Sequence, residues 1–138
     1  MTRKAPKWTP PSGYDVKVLP TGKWWDSVRA SVKVGEHALK LLGDASGAVV
    51  QDRHGPLYWL VTPGAADGWN VRDAQVLGAS TAEASYAGVP PAHWTSSPGT
   101  HWRIPVGPDC YLTDAQLPHG ALALAAIEEL GPVEEVGR

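Results

Sequence analysis

Two stretches near the middle of the chain have the hydrophobic pattern of a β-hairpin. Residues 48–52 read AVVQD, residues 57–61 read LYWLV, and the polar turn RHGP joins them. A polar turn between two runs rich in β-branched and aromatic residues is typical of antiparallel pairing. Every residue of LYWLV is apolar, so we expect a central strand with at least four of its five side chains largely buried.

Residues 32–44, VKVGEHALKLLGD, have the periodicity of an amphipathic helix. Their spacing puts four apolar side chains on one helical face, and Gly43 stands where a glycine commonly ends a helix. The four are Val34, Ala38, Leu41 and Leu42.

A second helix is predicted from Thr113 to Leu130. Thr113 is suited to cap its first turn, with Gln116 reaching back as in a capping box. The run ALALAAIEEL strongly favours helix, and Gly131 with the following proline ends it. We expect Pro118 and Gly120 to split off the first turn.

Shorter strand patterns surround these elements. Residues 14–19, YDVKVL, alternate apolar and polar side chains, as in a half-buried strand. Further candidates are SVRAS at 27–31, AQVLGA at 74–79, SYAGV at 85–89 and HWRIP at 101–105. We expect SYAGV to pair beside AQVLGA. The order of elements predicts an α+β fold, with a mainly antiparallel sheet of five to six strands and two helices on one face.

The length and composition suit one folded domain. The chain has 138 residues, of which 43% are hydrophobic and 19% charged. Prolines and basic residues in 1–13 predict a flexible N-terminal arm, residues 14–131 the domain, and residues 132–138 a C-terminal tail. The sequence has no long apolar run and no secretory leader pattern, so we expect no membrane partner. With Cys110 as the only cysteine, a reducing cytoplasm is the expected location.

Charge is divided unevenly along the chain. Residues 1–40 contain eight Lys and Arg against three Asp and Glu, whereas residues 41–138 contain four against eleven. The net charges are therefore +5 and −7. A basic arm that contacts nucleic acid is one interpretation, and an ordinary solvated surface is the other.

Few residue patterns point to catalysis. Neither a glycine-rich phosphate loop nor a nucleophile elbow occurs, so we expect no cofactor and assign no catalytic residue. His93, His101 and Asp109 are the best metal candidates, because two histidines and one carboxylate form a common ligand set. An imidazole surface beside tryptophans explains the two histidines equally simply.

Seven tryptophans in 138 residues require an explanation. Trp69, Trp94 and Trp102 are placed in or beside loops by the predicted elements, and Arg103 follows the last of them. A tryptophan-rich core explains these tryptophans most simply. As candidate functional residues, the four form a binding surface for a partner protein, and base stacking in a nucleic-acid site is a further alternative.

Several segments together resemble a known family. WDSVRA from residue 25, LYWLVTPGAADGW from residue 57 and HWRIP from residue 101 resemble small actinobacterial proteins, which look like a shortened bifunctional DNA primase/polymerase N-terminal domain. The similarity spans about residues 25–105 and implies a shared scaffold. Such polymerases hold two metal ions with paired acidic residues, whereas the predicted hairpin here offers only Asp52.

These observations favour a binding module over an enzyme. The leading expectation is a non-catalytic binding or regulatory module that acts through protein partners. A primase/polymerase-like accessory protein that contacts DNA or RNA through residues 1–40 is one alternative. A small metal-dependent hydrolase that uses the two histidines and Asp109 is another.

Overall fold

A five-stranded antiparallel sheet forms the middle layer of the fold. The computed structural model describes residues 10–78, 86–96, 99–106 and 116–131. In these ranges the elements are β1 (Lys17–Pro20), β2 (Asp26–Ala30), α1 (Val32–Leu42), a 3-10 turn (Gly43–Ala45), β3 (Val49–Gln51), β4 (Leu57–Val61), β5 (Ala74–Leu77), β6 (Tyr86–Val89), β7 (His101–Ile104) and α2 (Gln116–Leu130). The strand order is β5-β2-β4-β3-β7, and β1 and β6 form a separate two-stranded ribbon. The predicted α+β architecture is confirmed.

Strand β4 is the centre of the sheet, as the LYWLV pattern predicts. Four of its side chains are buried and only Tyr58 is half-buried. The predicted hairpin with β3 is also confirmed. In its turn the Asp52 amide donates to the Pro56 carbonyl at 2.9 Å, and the Gly55 amide donates to the Asp52 carbonyl at 2.9 Å. Gly55 has a φ of 117°, a conformation that glycine adopts without strain.

Both helices cover the same face of the sheet. Ser31 caps α1, because its hydroxyl accepts a hydrogen bond from the Val34 amide. Gly35 lies against Leu57, and a Cβ there would be only 3.0 Å from the leucine Cδ1. A glycine therefore lets α1 approach β4 closely. The core between helices and sheet includes Val28, Val34, Ala38, Val49, Leu57, Trp59, Val61, Leu122, Ala125 and Ala126.

Helix α2 runs without a break from Gln116, so the expected interruption at Pro118 and Gly120 is wrong. Pro118 is in the first helical turn, where the missing amide has no intrahelical acceptor in any case. The predicted cap at Thr113 lies outside the described residues. At the other end, the Arg72 guanidinium donates to the carbonyls of Leu130 and Gly131.

The β1–β6 ribbon covers the opposite face of the sheet. The prediction that SYAGV pairs beside AQVLGA is wrong, because β6 pairs with β1 in antiparallel register, from Lys17 opposite Val89 to Pro20 opposite Tyr86. Strand β1 is shorter than predicted and mostly exposed. A second apolar cluster joins the ribbon to the sheet and contains Trp25, Ala48, Val50, Leu60, Ala87, Val89 and Trp102, with Leu19 packed against it.

Two further expectations concern the ends of the chain and the membrane. Residues 1–9 of the predicted arm and all of the predicted tail, 132–138, lie outside the described residues. In the part of the chain that is described, neither helix combines the length and the apolar character needed to cross a membrane.

Candidate functional site

The structure does not bring the four predicted binding residues into one surface. Trp102 is buried with 1% of its surface exposed, and its indole N–H donates to the Pro90 carbonyl at 3.0 Å. Trp94 is half-buried, and its carbonyl accepts the Trp102 amide at 2.7 Å. The sequence has two His-Trp pairs, at 93–94 and 101–102. They lie beside each other along the backbone, but Trp102 packs in the core.

Arg103 and Trp69 lie elsewhere. The guanidinium of Arg103 forms a two-contact ion pair with Glu36 of α1, next to a bulge in the pairing of β3 with β7. Trp69 packs against His119 of α2, with ring centroids 4.7 Å apart. A binding role for these residues stays a prediction, and their contacts join elements of this chain.

The predicted metal ligands are only partly within the described ranges. His93 is exposed, whereas His101 is buried and its Nδ1 lies 2.8 Å from the Gly99 carbonyl oxygen. Asp109 lies outside the described residues. Among the residues that are described, no group of three or more His, Cys, Asp or Glu side chains converges as a metal site would require.

An open groove of about 360 Å³ lies beside the start of α1. Arg29, Ser31, Asp73 and Gln75 line it. The Asp73 carboxylate accepts hydrogen bonds from the Ser31 amide at 3.1 Å and from its hydroxyl at 2.5 Å. The Asp73 carboxylate thus joins the start of α1 to the residues that precede β5, so these hydrogen bonds stabilise the fold.

A charged cluster clamps α1 to α2. The His37 Nε2 lies 2.7 Å from the Glu128 carboxylate, and its Nδ1 lies 2.5 Å from the Glu129 carboxylate. The hydrogen bond to Glu129 is the main reason that the pKa of His37 is raised, with partial opposition from desolvation. The same hydrogen bond lowers the pKa of Glu129, and the charges of Lys33 and Lys40 add to the effect.

The outer side of the ribbon carries exposed apolar side chains. Val18 is 69% exposed and Tyr86 58%, and the strand register puts Val18 opposite Gly88, diagonal to Tyr86. Val16 leans over Gly88, with its Cγ1 3.2 Å from where a Cβ would stand. We call Val16, Val18, Pro20 and Tyr86 the ribbon face.

An aromatic cluster lies where the chain enters β1. Tyr14 is 84% exposed and meets the His93 ring edge-on at 6.1 Å, and His93 meets Trp94 in the same way at 6.3 Å. The Ala92 amide donates to the Pro11 carbonyl at 3.0 Å, so the chain entering β1 is held beside the cluster. We call Tyr14, His93 and Trp94 the aromatic cluster.

The alternation in residues 14–19 identifies side chains that share a side of the strand, but it does not show which side turns inward. A half-buried strand ordinarily turns its apolar set toward the core. In the structure Val16 and Val18 face outward, and Leu19 packs inward. The pairing of β1 with a strand almost 70 residues later decides this.

No known family model matches the chain, and neither the curated proteins nor the solved structures compared with it include a match. The resemblance to primase/polymerase domains thus stays a prediction.

Proposed function

We propose that this chain is a protein-binding module, with a binding surface made of the ribbon face and the aromatic cluster. The observation that carries the proposal is the exposure of large apolar side chains on paired strands, at 69% for Val18 and 58% for Tyr86, with Tyr14 84% exposed where the chain approaches β1. Contiguous exposed apolar side chains are characteristic of interaction sites. Tyrosine is enriched at such sites, because it offers a large apolar surface with a polar tip.

The interior of the fold does not require these side chains. An antiparallel ribbon that packs on a core with one face ordinarily has polar residues on the other. Here the inward residues Leu19, Ala87 and Val89 already anchor the ribbon to the sheet. The outer face of the ribbon is therefore ordered before a partner binds, which lowers the entropic cost of binding.

The charge of the sequence around β1 favours an acidic partner. Lys17 and Lys23 are exposed, and Asp15 is the single acidic residue in 1–25. Residues 1–9 add three basic side chains to this part of the sequence. Opposite charge on the partner accelerates association and selects among candidates. The partner we propose is therefore a protein segment with apolar side chains flanked by Asp or Glu.

Nucleic acid is the competing ligand for a basic surface with aromatic residues. Single strands are bound chiefly by stacking bases on aromatic rings and by neutralising phosphates. Most of the ribbon face consists of Val16, Val18 and Pro20, which have no aromatic ring on which a base could stack. Their aliphatic surface matches protein side chains better.

Selection of peptides from a displayed random library on the purified chain tests the proposal. We expect the selected sequences to combine apolar residues with Asp or Glu. Fluorescence anisotropy then gives the affinity of one labelled peptide for Val18→Asp and Tyr86→Asp, each of which should weaken binding about tenfold or more. Val32→Asp is the matched control, because Val32 is 45% exposed on α1, away from the ribbon.

Charge reversal and an oligonucleotide complete the test. Lys17→Glu should lower the affinity for the selected peptide and make the binding less sensitive to salt. Circular dichroism of each variant checks that it is folded. Equal peptide affinity for the ribbon-face variants and the Val32→Asp control would overturn the proposal. Binding of a single-stranded oligonucleotide that Val18→Asp abolishes, with no peptide selected, would also overturn it and favour the nucleic-acid alternative.

A further inference from the structure

Helix α2 is apolar on both of its sides. Its inward side chains, among them Ala121, Leu122 and Ala125, are buried against the sheet and α1. On the outside four large side chains remain 38–49% exposed: Leu117, Leu124, Ile127 and Leu130. From Gln116 to Ile127 the helix contains no Asp, Glu, Lys or Arg. A surface helix normally has charged residues on its outer side, and a helix that is apolar all round is normally covered all round.

The outer side chains of α2 lie along one line, in which Gly120 forms a notch. Leu117, Gly120, Leu124 and Ile127 follow one another at spacings of three and four residues, which places them on one helical face. Among the described residues, a Cβ at Gly120 would meet nothing within 4 Å. That part of the chain thus gives no reason for glycine here, where alanine would stabilise the helix.

From this pattern we infer that α2 is the contact surface of a homodimer, with the two copies of α2 antiparallel across a two-fold axis. The axis passes between Ala123 and Leu124. This arrangement places Ile127 of one copy opposite the notch at Gly120 of the other, on both sides of the axis. Leu124 lies at the axial level of Ala123 of the other copy, which is only partly buried in its own chain. Large side chains meet small ones at the centre, as close packing requires.

A second copy fits this surface better than an unrelated partner. The two-fold operation sets Ile127 of each copy against Gly120 of the other, so that one surface is complementary to itself, as an isologous interface requires. The uncharged stretch brings no like charges together across the axis, and the net charge of the whole chain is only −2. Antiparallel helices also place the positive N-terminal end of each helix beside the negative C-terminal end of the other.

The interface should be weak and measurable. A helix of 15 residues is about 22 Å long, so the contact is at the low end of specific interface sizes. Sedimentation velocity of the full chain from about 1 µM to about 500 µM should therefore show a concentration-dependent shift from monomer to dimer, with a micromolar dissociation constant. A monomer over the whole range would overturn the inference.

Three variants locate the interface. Leu124→Glu, which brings two carboxylates to the axis, should weaken association at least tenfold. Gly120→Leu should weaken it too, because it fills the notch, although a Cβ at Gly120 meets none of the described residues of one chain within 4 Å. Val32→Glu, with Val32 as exposed as Leu124 but on α1, should leave association unchanged. Unchanged association of folded Gly120→Leu would overturn the inference even if Leu124→Glu failed to fold.

Cross-linking tests the antiparallel register. In a Cys110→Ser background, which removes the only cysteine, chains with Gly120→Cys and chains with Ile127→Cys should form a disulfide when mixed and oxidised. Gly120→Cys alone should not, because equivalent positions are then offset by seven residues, or about 10 Å, beyond disulfide reach. Efficient cross-linking of Gly120→Cys alone would overturn the proposed register. Val18→Asp should not alter any of these results, so the dimer and the proposed ribbon-face function are tested separately.

Discussion

Replacement of Trp102 tests how the ribbon is fastened to the sheet. Its ring is 1% exposed in the cluster between sheet and ribbon, and its indole N–H donates to the carbonyl of Pro90, the residue after β6. Trp94, eight residues earlier in the other His-Trp pair, is only half-buried. The two tryptophans share a sequence motif, so they make a matched pair for comparison.

The burial of Trp102 sets the size of the effect. Truncation of a fully buried tryptophan to alanine costs about 3–5 kcal/mol, which is a large part of the roughly 5–15 kcal/mol that stabilises a typical domain. In a chain of this length that loss lowers the melting temperature by about 10–20 °C. Trp102→Phe keeps most of the ring and leaves the Pro90 carbonyl without its indole donor, so we expect about 1–3 kcal/mol from that change. Trp94→Ala should cost about 1 kcal/mol or less.

Urea unfolding followed by far-ultraviolet circular dichroism measures all three variants. This signal is preferable to fluorescence, because each substitution removes a fluorophore. The expected order of destabilisation is Trp102→Ala, then Trp102→Phe, then Trp94→Ala. Equal unfolding free energies for Trp94→Ala and Trp102→Ala would refute the assignment of Trp102 to the core.

Two further predictions concern the charged cluster and a glycine. The pKa of His37 is raised and that of Glu129 is lowered, so the ion pair stabilises the folded state fully between about pH 4.5 and 6.5. This contribution is lost as pH rises through the raised pKa of His37 or falls through the lowered pKa of Glu129. Urea unfolding of the native chain and His37→Gln from about pH 4 to 9 should show the largest difference within that window, and a pH-independent difference would contradict the prediction. Gly78→Ala should lower the unfolding free energy by about 1–3 kcal/mol, since its Cβ would stand 2.5 Å from the buried Asp26 carboxylate. Gly120→Ala, with open space around the new methyl, should cause no loss, and equal effects of the two glycine substitutions on thermal unfolding would contradict the explanation.

Local patterns were sufficient for the elements that are held by near neighbours in sequence. The hairpin of β3 and β4 depends on a turn within residues 52–56 and on side chains a few positions away. Helix α1 has its cap at Ser31, directly before the periodic segment 32–44, and its end at Gly43 inside that segment. In these places sequence and tertiary structure select the same conformation, so both elements could be predicted.

The ribbon could not be predicted, because its partners are distant. Pairing of β1 with β6 joins residues 17–20 to residues 86–89, and no local pattern specifies which of several short strands will meet. Without that pairing, the outward orientation of Val18 is not visible in the sequence. The two His-Trp pairs have a similar limit: their sequences are alike, but Trp94 is half-buried and Trp102 packs in the core.

The two proposed surfaces lie on opposite sides of the central sheet, and this has a consequence for binding. The ribbon covers one face and the helices the other, so two chains paired through α2 leave both ribbon faces uncovered. Such a dimer binds two partner segments, and attachment of both to one surface raises the effective affinity without any new contact. Leu124→Glu should therefore leave the affinity for a soluble single peptide unchanged. On a surface densely coated with the same peptide, the variant should dissociate faster than the native chain, as measured by surface plasmon resonance. Val32→Glu is the control that should retain both properties. If Leu124→Glu and the native chain dissociated from the dense surface at the same rate, then the two ribbon faces of a dimer would not act together.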